Sequence, residues 1–131
     1  MVQLPDTPEN SALVQEFLDE TRRRISNGID ITFTNKANEE LKDLALDFNV
    51  EVADIETAIE NRSTENYFRG IDPSRKADFE VCAFSATVGK DNVRIYLKFG
   101  LEVQGLQILL SFNHVPDYPM NQPFKNYQYG D

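Results

Sequence analysis

The sequence predicts an α+β domain, and three observations predict it. Helical stripes with recognisable caps fill the chain before residue 62, and three strand segments follow residue 78. The links between those strands are short enough for antiparallel hairpins. The expected order is α, β, α, α, β, β, β, an antiparallel meander packed against N-terminal helices. A chain of 131 residues with 40% hydrophobic residues is the size of one domain with one core. It divides into an N-terminal helix (1–27), a core (28–115) and an extended tail (116–131).

Thr7-Pro8-Glu9 opens the first helix, with a capping hydroxyl, proline at the first helical position and an early acid. Leu13, Val14, Phe17, Leu18 and Ile25 form its stripe, and the helix runs to about Ser26. Arg22, Arg23 and Arg24 have the composition of an RNA patch, yet cations in a last turn also complement the helix dipole, and the latter reading is preferred. Asn27-Gly28 stops the helix, and 29–34 alternates as a short strand. Thr34 caps a second helix whose inward positions are Ala37, Leu41, Leu44, Ala45 and Phe48, with Asn49 as a left-handed stop. A third helix from about Val52 to Asn61 turns Val52, Ile55 and Ile59 inward and its acids to solvent.

Residues 62–78 read as a long loop, polar except for Tyr67, Phe68 and Ile71, in which Tyr67 and Phe68 are anchors to the core. Strands then span 79–88, 93–103 and 106–115. The middle one alternates without an error. Val93, Ile95, Leu97, Phe99, Leu101 and Val103 share the core face, and Arg94, Tyr96 and Lys98 stand in a row opposite them. The tail holds three prolines and four aromatics (Tyr118, Phe124, Tyr127, Tyr129), which predicts an extended segment laid across the sheet.

Composition narrows the function classes. No apolar run approaches the roughly 18 residues of a membrane span, and the first 30 residues lack a signal-peptide pattern, so a cytoplasmic protein is expected. Cys82 is the single cysteine, expected as a buried, inert thiol. Gly-rich phosphate loops, nucleophile elbows and metal-ligand spacings are absent from the sequence, so no cofactor or metal is implied. The net charge of −9 argues against a generic nucleic-acid binder. That excess lies entirely in residues 1–66, with 15 acidic against 6 basic side chains; residues 67–131 hold 7 of each. An RNA-contacting face built from the second half is therefore not repelled locally.

Four segments in order carry a resemblance: Asp54-Ile55-Glu56-Thr57-Ala58-Ile59-Glu60-Asn61, Glu65-Asn66-Tyr67-Phe68-Arg69-Gly70, Arg94-Ile95-Tyr96-Leu97-Lys98-Phe99 and Leu110-Ser111-Phe112-Asn113-His114. Over about residues 28–125 the chain resembles the MqsR-type toxins of bacterial toxin–antitoxin pairs, within the RelE-like group of small ribonucleases. The resemblance implies a sheet face that binds messenger RNA and a cognate antitoxin as protein partner. It also implies metal-independent cleavage, in which the RNA's own 2′-hydroxyl attacks phosphorus. The catalytic positions it implies are Tyr96, Lys98 and Arg69, the last where the family often has lysine, with His114 as an acid or base. Arg94, Arg75, Asn113 and Lys125 would contact RNA. Many relatives have histidine directly after Ser-Phe, so His114 is displaced by one residue, which in an unbroken strand turns the ring to the other face. The alternative is a binding or regulatory protein that keeps the RelE-like fold without the reaction, favoured by the acidic balance and the displaced histidine.

Overall fold

The computed structural model describes residues 1–72 and 76–125; Arg75, Tyr127 and Tyr129 lie outside them. Three helices and a mixed five-stranded sheet make up the described fold. Helix α1 (Pro8–Ser26) begins where Thr7 Oγ1 accepts from the Asn10 backbone N–H, and buries Val14, Phe17, Leu18, Thr21 and Arg24 along one stripe. Helix α2 (Asn35–Phe48) is capped in the same way by Thr34 and ends at Asn49, whose φ of 56° is the left-handed conformation read from the sequence. Helix α3 (Val52–Glu60) starts with a reciprocal pairing of Glu51 and Asp54, which gives two of the expected surface acids a capping role. Among the described residues no helix is long and apolar enough to cross a membrane.

The strands are β1 (Ile31–Phe33), β2 (Tyr67–Gly70), β3 (Phe79–Val88), β4 (Val93–Glu102) and β5 (Ile108–His114), in the spatial order β1-β5-β4-β3-β2. The antiparallel meander of β3, β4 and β5 is present. Two features extend it. Strand β1 pairs parallel to β5, so the sheet is mixed. Strand β2 lies inside the segment expected to be a loop and pairs antiparallel with β3. The edge of β2 is covered in turn by the N-terminal segment, since Gly70 N–H donates to the Val2 carbonyl at 2.7 Å and Gln3 Nε2 donates to the Phe68 carbonyl at 2.7 Å. Gly70, with φ +115°, fits where any Cβ would overlap the backbone of Val81 and Cys82.

The helices cover one face of the sheet. Phe84 and Phe99 stack with centroids 5.4 Å apart, and Phe17 of α1 lies 5.4 Å from Phe99. Burial of such a side chain is worth about 1.5–3 kcal/mol. Cys82 is fully buried in this core, where desolvation pushes its thiol well above the ordinary value. Tyr67 is also buried; its hydroxyl donates to the Gly70 carbonyl at 2.7 Å and accepts from Leu4 N–H at 3.0 Å, and burial pushes its phenol up to about 12. It anchors the loop, as expected.

Three positions assigned inward are exposed: Val103 at 56%, Val52 at 47%, and Ala45. Val103 lies beyond the last paired residue of β4 and Val52 is the first of α3, so both extend a pattern past the cover that gives it meaning. The arginine run of α1 is structural. Arg24 is buried, donates to the carbonyls of Gln107 and Glu102 at 3.0 and 2.9 Å, and pairs with Glu20 at 2.8 Å. Arg22 reaches the carbonyls of Glu60 and Arg62, tying α1 to the end of α3.

Candidate functional site

The face of the sheet away from the helices carries the row seen in the sequence. Partnered residues in adjacent strands share a face, so the pairs Arg69↔Ala83, Ala83↔Lys98 and Lys98↔Ser111 form one line across four strands. The next line is Ser85, Tyr96 and Asn113, and the one after it holds Thr87 and Arg94. Tyr96, Lys98, Arg69, Arg94 and Asn113 are thus brought together on one surface.

Ala83 decides how close the two cations can work. Strands lie about 4.8 Å apart, so Arg69 and Lys98 flank Ala83 with backbones roughly 9–10 Å apart, and only a methyl group lies between them. Arg69 leans diagonally: its Nε donates to the Tyr96 hydroxyl at 3.2 Å, and its guanidinium sits 5.0 Å from the Phe68 centroid and 5.4 Å from that of Tyr96. The bond to Tyr96 holds the guanidinium above its ordinary value, so it is permanently charged. Arg94 donates Nη1 to the Val115 carbonyl at 2.8 Å, which secures the exit of β5.

A bulge between Tyr67 and Arg69 lets Phe68 join the open face. Phe68, Tyr96 and Tyr118 form a mutually edge-on triad, with centroids 6.1, 6.1 and 6.3 Å apart and interplanar angles of 78–84°. Tyr118 comes from the tail and is 41% exposed, whereas Tyr96 beneath it is only 8% exposed. Tyr96 is therefore part of a packed cluster rather than a solvated strand residue. Beyond Tyr118 the tail returns to the β2 edge, where Asn121 meets Gln3 and Phe124 is buried 5.3 Å from Tyr67. Lys125 is exposed next to Phe124 at that margin, outside the row that holds Lys98.

His114 is not in the site. It pairs with Ile95 in a ladder that is regular to its end, so its ring faces the helices. There it lies edge-on to Phe48 with centroids 5.4 Å apart, and its backbone N–H donates to Glu40 Oε1 at 2.8 Å. No bulge re-aims it, and the expectation of His114 as an acid or base beside Tyr96 is overturned by strand parity.

No family model, curated protein or solved structure matches the chain.

The arrangement can recognise an anion and a flat group side by side. Arg69 offers its terminal nitrogens, Lys98 a point charge, Tyr96, which accepts from Arg69, a hydroxyl proton with no acceptor among the described residues, and the edges of the triad an apolar surface. Ala83, Ser111, Phe68 and Tyr118 were not singled out as site residues from the sequence. The first two follow from strand register, which the alternation of 79–88 and 106–115 carries only once the partners are known. The other two reach Tyr96 through the bulge and the returning tail, which leave no sequence signal.

Proposed function

We propose that the open face binds single-stranded RNA and that the chain is a RelE-like ribonuclease of the MqsR toxin type, cutting without a metal by 2′-hydroxyl attack. The observation that carries this reading is the line Arg69–Ala83–Lys98–Ser111, with the Arg69 Nε–Tyr96 hydroxyl bond beside it. A phosphate held by Arg69 and Lys98 above the buried Ala83 would lie between two cations, whose charge stabilises the equatorial oxygens of a pentacoordinate phosphorus better than those of the ground state. The Tyr96 hydroxyl would donate to a non-bridging oxygen. As the 2′-oxygen–phosphorus bond forms, the 2′-hydroxyl proton would pass to solvent; as the phosphorus–5′-oxygen bond breaks, protonated Lys98 would supply the proton to the 5′-oxygen, leaving a 2′,3′-cyclic phosphate, and Asn113 in the Tyr96 line would orient the ribose. The RNA strand then runs along the row, with an unstacked base against the Phe68–Tyr118 edges. The acidic first half of the chain would face the proposed antitoxin or solvent, away from the phosphates.

The test is incubation of the protein with a long single-stranded RNA in EDTA, beside a Tyr96→Phe/Lys98→Ala variant. Phenylalanine keeps the buried ring in place. Cleavage by the wild type and at least a ~100-fold loss in the variant are expected; equal cleavage by both removes the site from consideration.

One observation favours a second reading. With His114 on the helix side, the open face lacks the side chain best suited to take the 2′-hydroxyl proton at neutral pH. A protein that binds RNA through this face and regulates without cutting would show wild-type affinity, lost in Tyr96→Phe/Lys98→Ala, and no product in EDTA or with ribosomes present.

A further inference from the structure

The open face continues past Lys98 into a groove that the phosphate site does not use. Its volume is about 360 Å³, near the lower end of small-ligand sites, and it runs over Gly100 between Phe79 and Val81 on one side and Leu109 on the other. Lys98 and Ser111 stand at the end next to Ala83, and Thr34 and Lys36, at the start of α2, stand at the rim. Gly100 is a buried strand residue with a paired neighbour on each side, Val81 and Leu109. Glycine weakens a strand interior, and its use there marks a place where something approaches the backbone closely. A Cβ at this position would come within 3.2 Å of Val81 Cγ2 and 3.3 Å of Phe79 Cβ, so the groove has its depth because residue 100 has no side chain.

We infer that this groove is a base-selecting subsite, which takes one unstacked nucleobase of the RNA next to the phosphate held between Arg69 and Lys98. The inference rests on the sheet-face reading above. Three features of the groove suit a nucleobase flanked by phosphate. Its walls and floor are apolar and, at Gly100, flat, as the face of a base requires. Hydroxyls stand at its edges: Ser111 has no hydrogen-bond partner among the described residues, and Thr34 Oγ1 accepts from Ala37 N–H, with no acceptor for its own proton among the described residues, so that proton can meet the edge of a base. Cations stand across the Ser111 end, Lys98 on one side and the exposed Lys36 just beyond Thr34 on the other, neither of them in an ion pair among the described residues, so the backbone phosphate at that end of the base meets positive charge. In a chain of net charge −9, these two lysines, in no ion pair among the described residues, give the groove a locally positive rim complementary to phosphate.

The experiment compares wild type, Gly100→Val and Lys36→Glu for binding to a fluorescent single-stranded RNA library over a range of salt, and sequences the bound and cleaved pools. Gly100→Val fills the groove without touching charge. It is expected to weaken binding at least tenfold at an unchanged salt slope and to flatten the base preference at one position. Lys36→Glu, on an exposed first turn, is expected to lower affinity and reduce the salt slope by about one, and it carries the test alone if Gly100→Val melts below the wild type. Wild-type RNA binding with base preference and salt slope unchanged in both variants would overturn the subsite and leave the sheet-face reading standing. No RNA binding by the wild type would remove both.

Discussion

The two faces of β4 are one residue apart in sequence and differ in almost every physical respect. Ile95, Leu97 and Phe99 are buried under three helices, and their contribution is set by volume and dispersion. Tyr96 and Lys98 face outward, among cations, hydroxyls and ring edges, and their contribution is set by direction and charge. Because the strand alternates, a substitution at an odd position tests the fold and one at an even position tests the site. Tyr96 is the exception, since the aromatic triad makes it part of a small second core.

The largest effect is expected from Phe99→Ala, which empties the centre of the Phe17–Phe84–Phe99 stack. Chemical denaturation should show a loss of about 3–5 kcal/mol, whereas Lys98→Ala on the adjacent position should stay within about 0.5 kcal/mol. Comparable losses at both positions would mean that the two faces of β4 are packed alike. Arg24→Met tests the tie between α1 and the β4–β5 hairpin. It leaves the Glu102 and Gln107 carbonyls without their charged donor and should cost about 2 kcal/mol at neutral pH. The hydrogen bond from Arg24 holds the Glu20 carboxyl below its ordinary value of 4.5. A depressed carboxyl stabilises the fold above that value and ceases to do so as pH falls through its folded pKa. The stability difference between wild type and Arg24→Met should therefore shrink as pH drops below 4.5, leaving the part due to the two carbonyl bonds.

Arg69→Lys sharpens the outer face. It keeps the charge but loses Nε–H and the planar stack, so cleavage or RNA affinity should fall by about tenfold with stability changed by less than ~1 kcal/mol. The smallest effect is expected from His114→Gln. The ring meets Phe48 on the helix side, so stability should change by less than ~1 kcal/mol and RNA cleavage not at all. A rate loss that follows an imidazole titration would return His114 to the mechanism and contradict the strand register.

Much of the fold was legible because its signals are local. Thr7, Thr34 and Asn49 state where helices begin and end through bonds that span three or four residues, and the structure uses each as expected. Strand β2 was not legible. Its four residues, Tyr67–Gly70, include a bulge, and β3 on one side and the N-terminal segment on the other complete its hydrogen bonds. Half of the candidate site was legible in the same sense: alternation alone puts Arg94, Tyr96 and Lys98 on one face, and the same parity puts His114 on the opposite one.

What the sequence determined by itself is therefore everything carried by period and cap: three helices, the β3–β5 meander, the outward row of β4 and the acidic bias of the first half. Which rows become neighbours was settled by the packing of the closed chain. Arg69 meets Tyr96 and flanks Lys98 because β2 pairs with β3 in a register that puts Ala83 between them, and Tyr118 covers Tyr96 because the tail turns back towards the N-terminal segment. The parallel contact of β1 with β5 brings Thr34 and Lys36 to the Gly100 groove in the same way. Side-chain period is a property of one strand and can be read along it. Register between distant strands depends on the summed burial of both, a quantity that exists only once the chain has closed on itself.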